Sequence, residues 1–206
     1  VMKKLMTLFA LLLVTFSIQA QNTDKAKKLL DEVSNKIKSY NSISLDFTYQ
    51  NGSQEGKGKA TIQGEKYTVD FMGITQIFDG NKIYIINPND EEVTISSNND
   101  NQGVSIASLL TFYQNGYTYV WDKTQNMGGK TIQYIKLLPL NNRSLTEIYL
   151  GIDTQTKHIY NRTDVFKNGS RIIITVNSFK TNQTLSKNHF TFTKSKYPNY
   201  YINNLD

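Results

Sequence analysis

Asp90-Glu91-Glu92 is the densest run of carboxylates in the chain, so it is the first place to look for chemistry. Such a run could gather calcium through its oxygens or work as an acid–base pair. It follows the turn Asn87-Pro88-Asn89 and leads into a strand-like stretch. Successive strand residues point to opposite faces, so Glu91 and Glu92 would not meet one substrate. The two histidines, His158 and His189, stand far apart in sequence, and neither belongs to HExxH or another ligand spacing. No metal site is expected. No serine sits in a GxSxG elbow, and no P-loop or dinucleotide glycine pattern occurs. Gly56-Lys57-Gly58 reads as the start of a strand, and Trp121 reads as a packing residue. Triplets such as Asn161-Arg162-Thr163 are expected by chance in a chain this rich in asparagine. The expectation is a protein with no catalytic residues and no cofactor.

If function does not lie in a reactive constellation, it lies in what the elements enclose. Residues 1–20 carry Lys3 and Lys4, an apolar run from Leu5 to Ile18, and a small final residue, Ala20. That is the pattern of a secretory signal peptide cleaved after about Ala20, and the run is short for a membrane span. With no cysteine in the chain, nothing at the cut can be lipidated and no disulfide can form. Residues 21–206 are then expected as a single exported domain, which is long enough for a core without staples. The formal charge of +6 becomes +4 when Lys3 and Lys4 leave, because the signal holds no acid. The lysines are scattered and form no basic block with interleaved aromatics, so nucleic acid is not an expected partner.

Residues 23–40 read as one amphipathic helix with Thr23 as its N-cap. Ala26, Leu29, Leu30, Val33, Ile37 and Tyr40 recur at steps of three and four on one face. From Leu45 onward the period is two. Leu45, Phe47 and Tyr49, then Ala60 and Ile62, then Tyr67, Val69 and Phe71 alternate with polar neighbours. Further strands are expected at Thr75–Phe78, Lys82–Ile86, Glu92–Ser97, Tyr117–Asp122, Thr131–Leu138, Thr146–Ile152, Lys157–Phe166, Arg171–Phe179 and Phe190–Thr193. Asn51-Gly52, Asp79-Gly80-Asn81 and Asn168-Gly169 supply turn chemistry between them. A second, short and strongly apolar helix is expected from Ile106 to Tyr113, capped by Ser105. The load of thirteen tyrosines and ten phenylalanines suits a β protein. The fold class is α+β, mainly β, with one antiparallel sheet of about 10–11 strands. A sheet that wide must curl, and two helices are a thin cover for it. The expected shape is a curled, incompletely closed half-barrel with a helical lid and a cavity beneath.

In this order the segments resemble the outer-membrane lipoprotein carrier proteins of diderm bacteria, the LolA type, and most of all the branch found in Bacteroidota. The resemblance is carried by Ala26-Lys27-Lys28-Leu29-Leu30, Ser44 to Gln50, Gly58 to Ile62, and Ile77 to Tyr84. Asn87-Pro88 before Glu92-Val93-Thr94, the lid segment Ser105 to Leu110, and Asn168-Gly169 with Asn177 to Phe192 complete it. It implies a periplasmic shuttle that takes lipoproteins from an inner-membrane ATP-driven (ABC) exporter, holds their acyl chains, and delivers them to the outer membrane. A monomer is expected, and the outer-membrane acceptor is left unassigned. Each methylene exposed to water costs roughly 0.8 kcal/mol, so such a carrier needs an apolar wall and a movable lid. The expected wall is Phe47, Ile62, Val69, Phe71, Ile85, Val93, Ile148 and Leu150. The expected lid is Leu29, Leu30, Val33, Ile37, Leu109, Leu110 and Phe112. A one-residue slip of register would reverse any of these facings. One departure stands out. Where studied carriers have Arg-Pro after the third strand, this chain has Gln63-Gly64-Glu65, so the family's lid arginine has no counterpart there. The alternative reading keeps the fold and changes the ligand, giving a periplasmic carrier or sensor of another amphiphile, such as a glycolipid or phospholipid.

Overall fold

The computed structural model of this protein describes residues 22–97, 110–142 and 144–206. The expected signal segment, Ser105, Ile106 and Leu109 lie outside those residues. Helix α1 covers 22–38. Asn22 is already helical, so Thr23 lies within the helix and does not cap it at the expected place. The Thr23 hydroxyl instead makes a long contact with the Tyr119 carbonyl, at 3.5 Å. The apolar face of α1 behaves as its spacing predicts. Ala26, Leu29, Leu30, Val33 and Ile37 are buried, while the lysines at 25, 27, 28 and 38 stay in water. Each large apolar side chain removed from water stabilises the fold by roughly 1.5–3 kcal/mol. That burial, rather than helix propensity, holds α1 in place.

Among the described residues the strands form one twelve-stranded sheet, one strand wider than the upper end expected. Its strands are β1 (Ile43–Asn51), β2 (Gln54–Gln63), β3 (Lys66–Phe71), β4 (Ile74–Phe78), β5 (Lys82–Asn87) and β6 (Glu92–Ser97). They continue as β7 (Tyr117–Met127), β8 (Lys130–Pro139), β9 (Leu145–Asp153), β10 (Ile159–Phe166), β11 (Arg171–Thr181) and β12 (Tyr201–Asn204). The spatial order is β12-β6-β5-β4-β3-β2-β1-β11-β10-β9-β8-β7. The two outermost strands, β12 and β7, do not pair with each other, so the sheet curls without closing. Neighbours are antiparallel except for β12, which lies parallel to β6. The expected strand at Phe190–Thr193 does not form. Phe190 is buried there in irregular backbone, and the last strand comes later, at β12.

Both faces of the sheet are packed. On the inner face α1 lies against Ile43, Leu45, Ala60, Ile62, Tyr67, Phe78 and Ile83 from the first half, and against Ile135, Leu137, Ile148, Leu150 and Ile152 from the second. On the outer face Ile77, Ile86 and Val93 are covered by Phe192, Tyr197, Tyr200 and Ile202 of the C-terminal segment. Tyr84, Phe192 and Tyr197 stack in series there, with centroids 4.9 and 5.7 Å apart. Asp206 ties this segment down by an ion pair with Lys82 at 2.6 Å. Among the described residues no helix is long and apolar enough to cross a membrane.

Candidate functional site

Between the inner face of the sheet and the lid lies a cavity of about 320 Å³. Its wall comes from the middle of the sheet: Leu45, Phe47 and Tyr49 of β1, Ala60 of β2, Val69 and Phe71 of β3, Leu150 of β9, Ile159 and Arg162 of β10, and Ile174 and Val176 of β11. Leu110 and Phe112 roof it. The strand register explains the grouping. Phe47 stands opposite Gly58, and Gly58 opposite Phe71, so three neighbouring strands offer one row of the pleat. A Cβ at position 58 would overlap the Phe47 ring, so the glycine lets Phe47 lie flat across β2 and meet Phe71 at 5.7 Å. Tyr49 meets the same Phe71 edge-on at 5.3 Å.

The roof is held by polar contacts with its neighbours. Gln114 donates to the Ser34 hydroxyl of α1 at 2.6 Å, and Tyr113 donates to the Leu30 carbonyl at 3.4 Å. Tyr119 of β7 donates to the Tyr113 carbonyl at 2.7 Å. Burial pushes the Tyr113 hydroxyl pKa well above its ordinary value, so it stays a donor throughout the physiological range. Phe112 packs edge-on against Tyr117 at 5.7 Å, and the Arg162 guanidinium lies 4.0 Å from its ring centroid. Residues 110–111 are helical and Phe112–Gln114 form a 3-10 turn, which is the described part of the expected second helix.

The far end of α1 is fastened differently. Lys157 pairs with Glu32 at 2.9 Å, and Tyr40 shares a hydrogen bond of 2.8 Å with His158 Nε2. The His158 ring stacks on Phe179 with centroids 4.0 Å apart. Burial, followed by the charges of Lys36 and Lys130 and against the pull of Asp153, lowers the His158 pKa below its ordinary 6.5. The unfolded chain therefore takes up this proton at a higher pH than the folded one. The stability this neutral ring confers is complete above pH 6.5 and drains away as the pH falls through that value and beyond. Urea midpoints measured between pH 7.5 and 5.5 are expected to fall on acidification, and His158→Gln is expected to flatten that slope.

The expected wall and lid residues other than Leu109, which lies outside the described residues, fall into four groups. Phe47, Val69, Phe71, Leu150, Leu110 and Phe112 line the cavity. Ile62, Ile148, Leu29, Leu30, Val33 and Ile37 share the inner-face core and fill the trough beside the cavity without lining it. Ile85 aligns with Gln76 and Val69, both on the inner-face row, but is 37% exposed and lies outside the cavity. Val93 is on the opposite face. It pairs with Ile86, and both pack under the C-terminal segment. The run Ile83-Tyr84-Ile85-Ile86 is apolar at every position because this part of the sheet is covered on both sides, so alternation could not assign a face. Of the cavity residues, Leu45, Tyr49, Ala60, Ile159, Arg162, Ile174 and Val176 were not among the expected wall and lid, although Leu45, Tyr49 and Ala60 stood in the alternating stretches. Arg162 and Asp164 carried a readable signal, since opposite charges two apart on a strand share a face.

The acidic run is a structural turn. Asp90 accepts from Asn87 at 2.5 Å, and Glu92 accepts from Thr94 at 3.0 Å and Asn203 at 3.1 Å. Among the described residues no group of three His, Cys, Asp or Glu could hold a metal ion.

Residues 38–193 match the family model of the outer membrane lipoprotein carrier protein LolA. Among solved structures, an uncharacterized conserved protein from Thermus thermophilus superposes with a TM-score of 0.63 at 9% identity, covering 87% of this chain and 99% of that one. A DUF1329 family protein from Desulfovibrio piger gives 0.48 at 11% identity, with 82% and 97% covered. A LolA superfamily protein from Nitrosomonas europaea gives 0.41 at 10% identity, with 81% and 97% covered. No curated protein matches the sequence.

Proposed function

The chain belongs to the outer membrane lipoprotein carrier family, LolA, and from that membership we propose that it is a non-enzymatic carrier of lipoprotein acyl chains. In this reading residues 21–206 form one periplasmic domain released from its signal peptide. It receives lipoproteins from an inner-membrane ABC exporter, shelters their acyl chains in the cavity, and hands them on at the outer membrane. The observation that carries the reading is the cavity itself: eleven wall residues and two roof residues present almost only hydrocarbon. At about 320 Å³ it stands at the floor of the size range of ligand pockets, roughly 300–1,000 Å³. Taking up whole acyl chains therefore requires the roof or α1 to move. The polar contacts of Gln114 and Tyr113 to α1 make those two elements shift together.

A second reading, a carrier or sensor of another amphiphile, is favoured by the hairpin between β2 and β3. There Gln63, Gly64 and Glu65 are exposed, with Gly64 at φ 59°, and none of them offers the guanidinium of a lid arginine. The test is to express residues 1–206 with a C-terminal tag, recover the protein gently from the periplasm, and identify what it holds by native mass spectrometry. A triacylated lipoprotein bound one to one is the expected result. A free glycolipid or phospholipid supports the second reading. An empty protein that also ignores acyl probes refutes both.

A further inference from the structure

One ion pair stands at the cavity wall, with Arg162 lining it and Asp164 beside it. Arg162 is the only charged side chain among the described lining residues, and it stands in register with Leu150 of β9 and Ile174 of β11, which line the same cavity. Its guanidinium therefore emerges from the middle of an apolar wall. Nε and Nη2 donate to the two carboxylate oxygens of Asp164 at 2.6 and 2.8 Å. The two side chains are only 19% and 16% exposed. The pair is electrically balanced, and two of the five guanidinium N–H groups are engaged. The other three have no partner among the described residues. Phe112 covers the flat face of the guanidinium, which leaves the N–H edge as the part that can still donate.

We propose that Arg162, neutralised and aimed by Asp164, is a carbonyl anchor that makes the cavity prefer acyl groups joined through an ester or amide over plain alkyl chains of equal length. This rests on the carrier reading above and specifies its ligand. A bare hydrocarbon entering the cavity strips water from the spare N–H groups and gives nothing back, which leaves donors unsatisfied in a dry site. An ester or amide carbonyl accepts from them and removes that cost. The anchor also defines orientation. The carbonyl end of the chain stops at β10 under Phe112, and the methylenes run along the Phe47–Phe71 row. Because the neutral pair carries no net charge, the matching group is a neutral acceptor rather than a carboxylate, which would meet Asp164.

The experiment uses two probes that differ only in the carbonyl, 1-palmitoylglycerol and 1-O-hexadecylglycerol, each competing against a fluorescent acyl reporter on the purified protein. The ester is expected to bind roughly tenfold tighter than the ether, the scale of one hydrogen bond to a charged donor. In the double variant Arg162→Met/Asp164→Leu, which leaves no orphaned charge, the ester-to-ether ratio is expected to fall to about one. Arg162→Lys, which keeps the charge but not the forked donor geometry, is expected to lower the ratio in a protein with the pair's charge balance intact. Equal binding of the two probes to the unmodified protein overturns the anchor and leaves the carrier reading standing. A preference that survives both variants also overturns it. Failure of both probes to bind at all overturns the carrier reading itself.

Discussion

Val69→Asp is expected to weaken acyl-probe binding by roughly two to three orders of magnitude while the protein remains folded. Val69 lines the cavity from β3, is only partly buried, and sits beside Phe71 in the wall. An aspartate there is too short to carry its charge out to water past neighbouring strands. When an acyl chain fills the cavity, that carboxylate loses its solvent with no partner gained. Leaving a charge buried and unpaired costs on the order of 3–5 kcal/mol, and each 1.4 kcal/mol is tenfold in affinity. In the empty protein water can reach the new carboxylate, so the loss appears in binding much more than in stability. Titration of a fluorescent fatty-acyl probe, with far-ultraviolet circular dichroism as the folding control, checks both halves. Unchanged affinity in a folded variant removes Val69 and its row from the wall.

Val93→Asp is expected to do the reverse. Val93 is fully buried between β6 and the C-terminal segment, on the face away from the cavity. A charge placed there destabilises the folded state by roughly 3–5 kcal/mol, a large part of the stability of an ordinary domain. The first consequence is detachment of the covering segment, because Phe192, Tyr197, Tyr200 and Ile202 pack on the same cluster. Limited proteolysis is expected to cut the variant between 182 and 200 well before the unmodified protein, and the urea midpoint is expected to fall. If both measurements match those of the unmodified protein, Val93 does not support the outer face. A protein that stays folded but loses acyl binding would return Val93 to the cavity wall.

These two valines show how far the residues could be read without a structure. Val69 sits in Tyr67-Thr68-Val69-Asp70-Phe71, where apolar and polar residues alternate cleanly, and the inward row could be assigned. Val93 follows a strand with four consecutive apolar residues, and its facing depends on a covering segment that begins at Phe192, far along the chain. No local pattern contains that information. α1 was legible for the same reason as β3, since its buried positions fall on one stripe. The parallel strand β12 was not, because Tyr201-Ile202-Asn203-Asn204 carries a weak β signal and pairs with β6 only after the chain has crossed the outer face. Arg162 was legible only in part: its spacing to Asp164 puts the two on one face, but a charged residue in a half-exposed strand usually faces water, and its inward facing is set by its register with Leu150 and Ile174.

The pairing at the centre of the sheet has a consequence in time. β1 is the first strand made, yet it lies between β2 and β11, with Ile43 opposite Thr181. The first hairpins can form locally, from β1 through β6, but the trough that holds them together waits for β11 to arrive from near the end of the chain. Contacts this distant in sequence make a fold slow to reach, on the scale of milliseconds to seconds rather than microseconds. Until then the inner-face residues Phe47, Val69 and Phe71 lie open on a half-built sheet with a free edge at β1. The surface meant for acyl chains is thus also the surface most prone to aggregate, and a nascent molecule stays in need of protection until almost all of it has emerged.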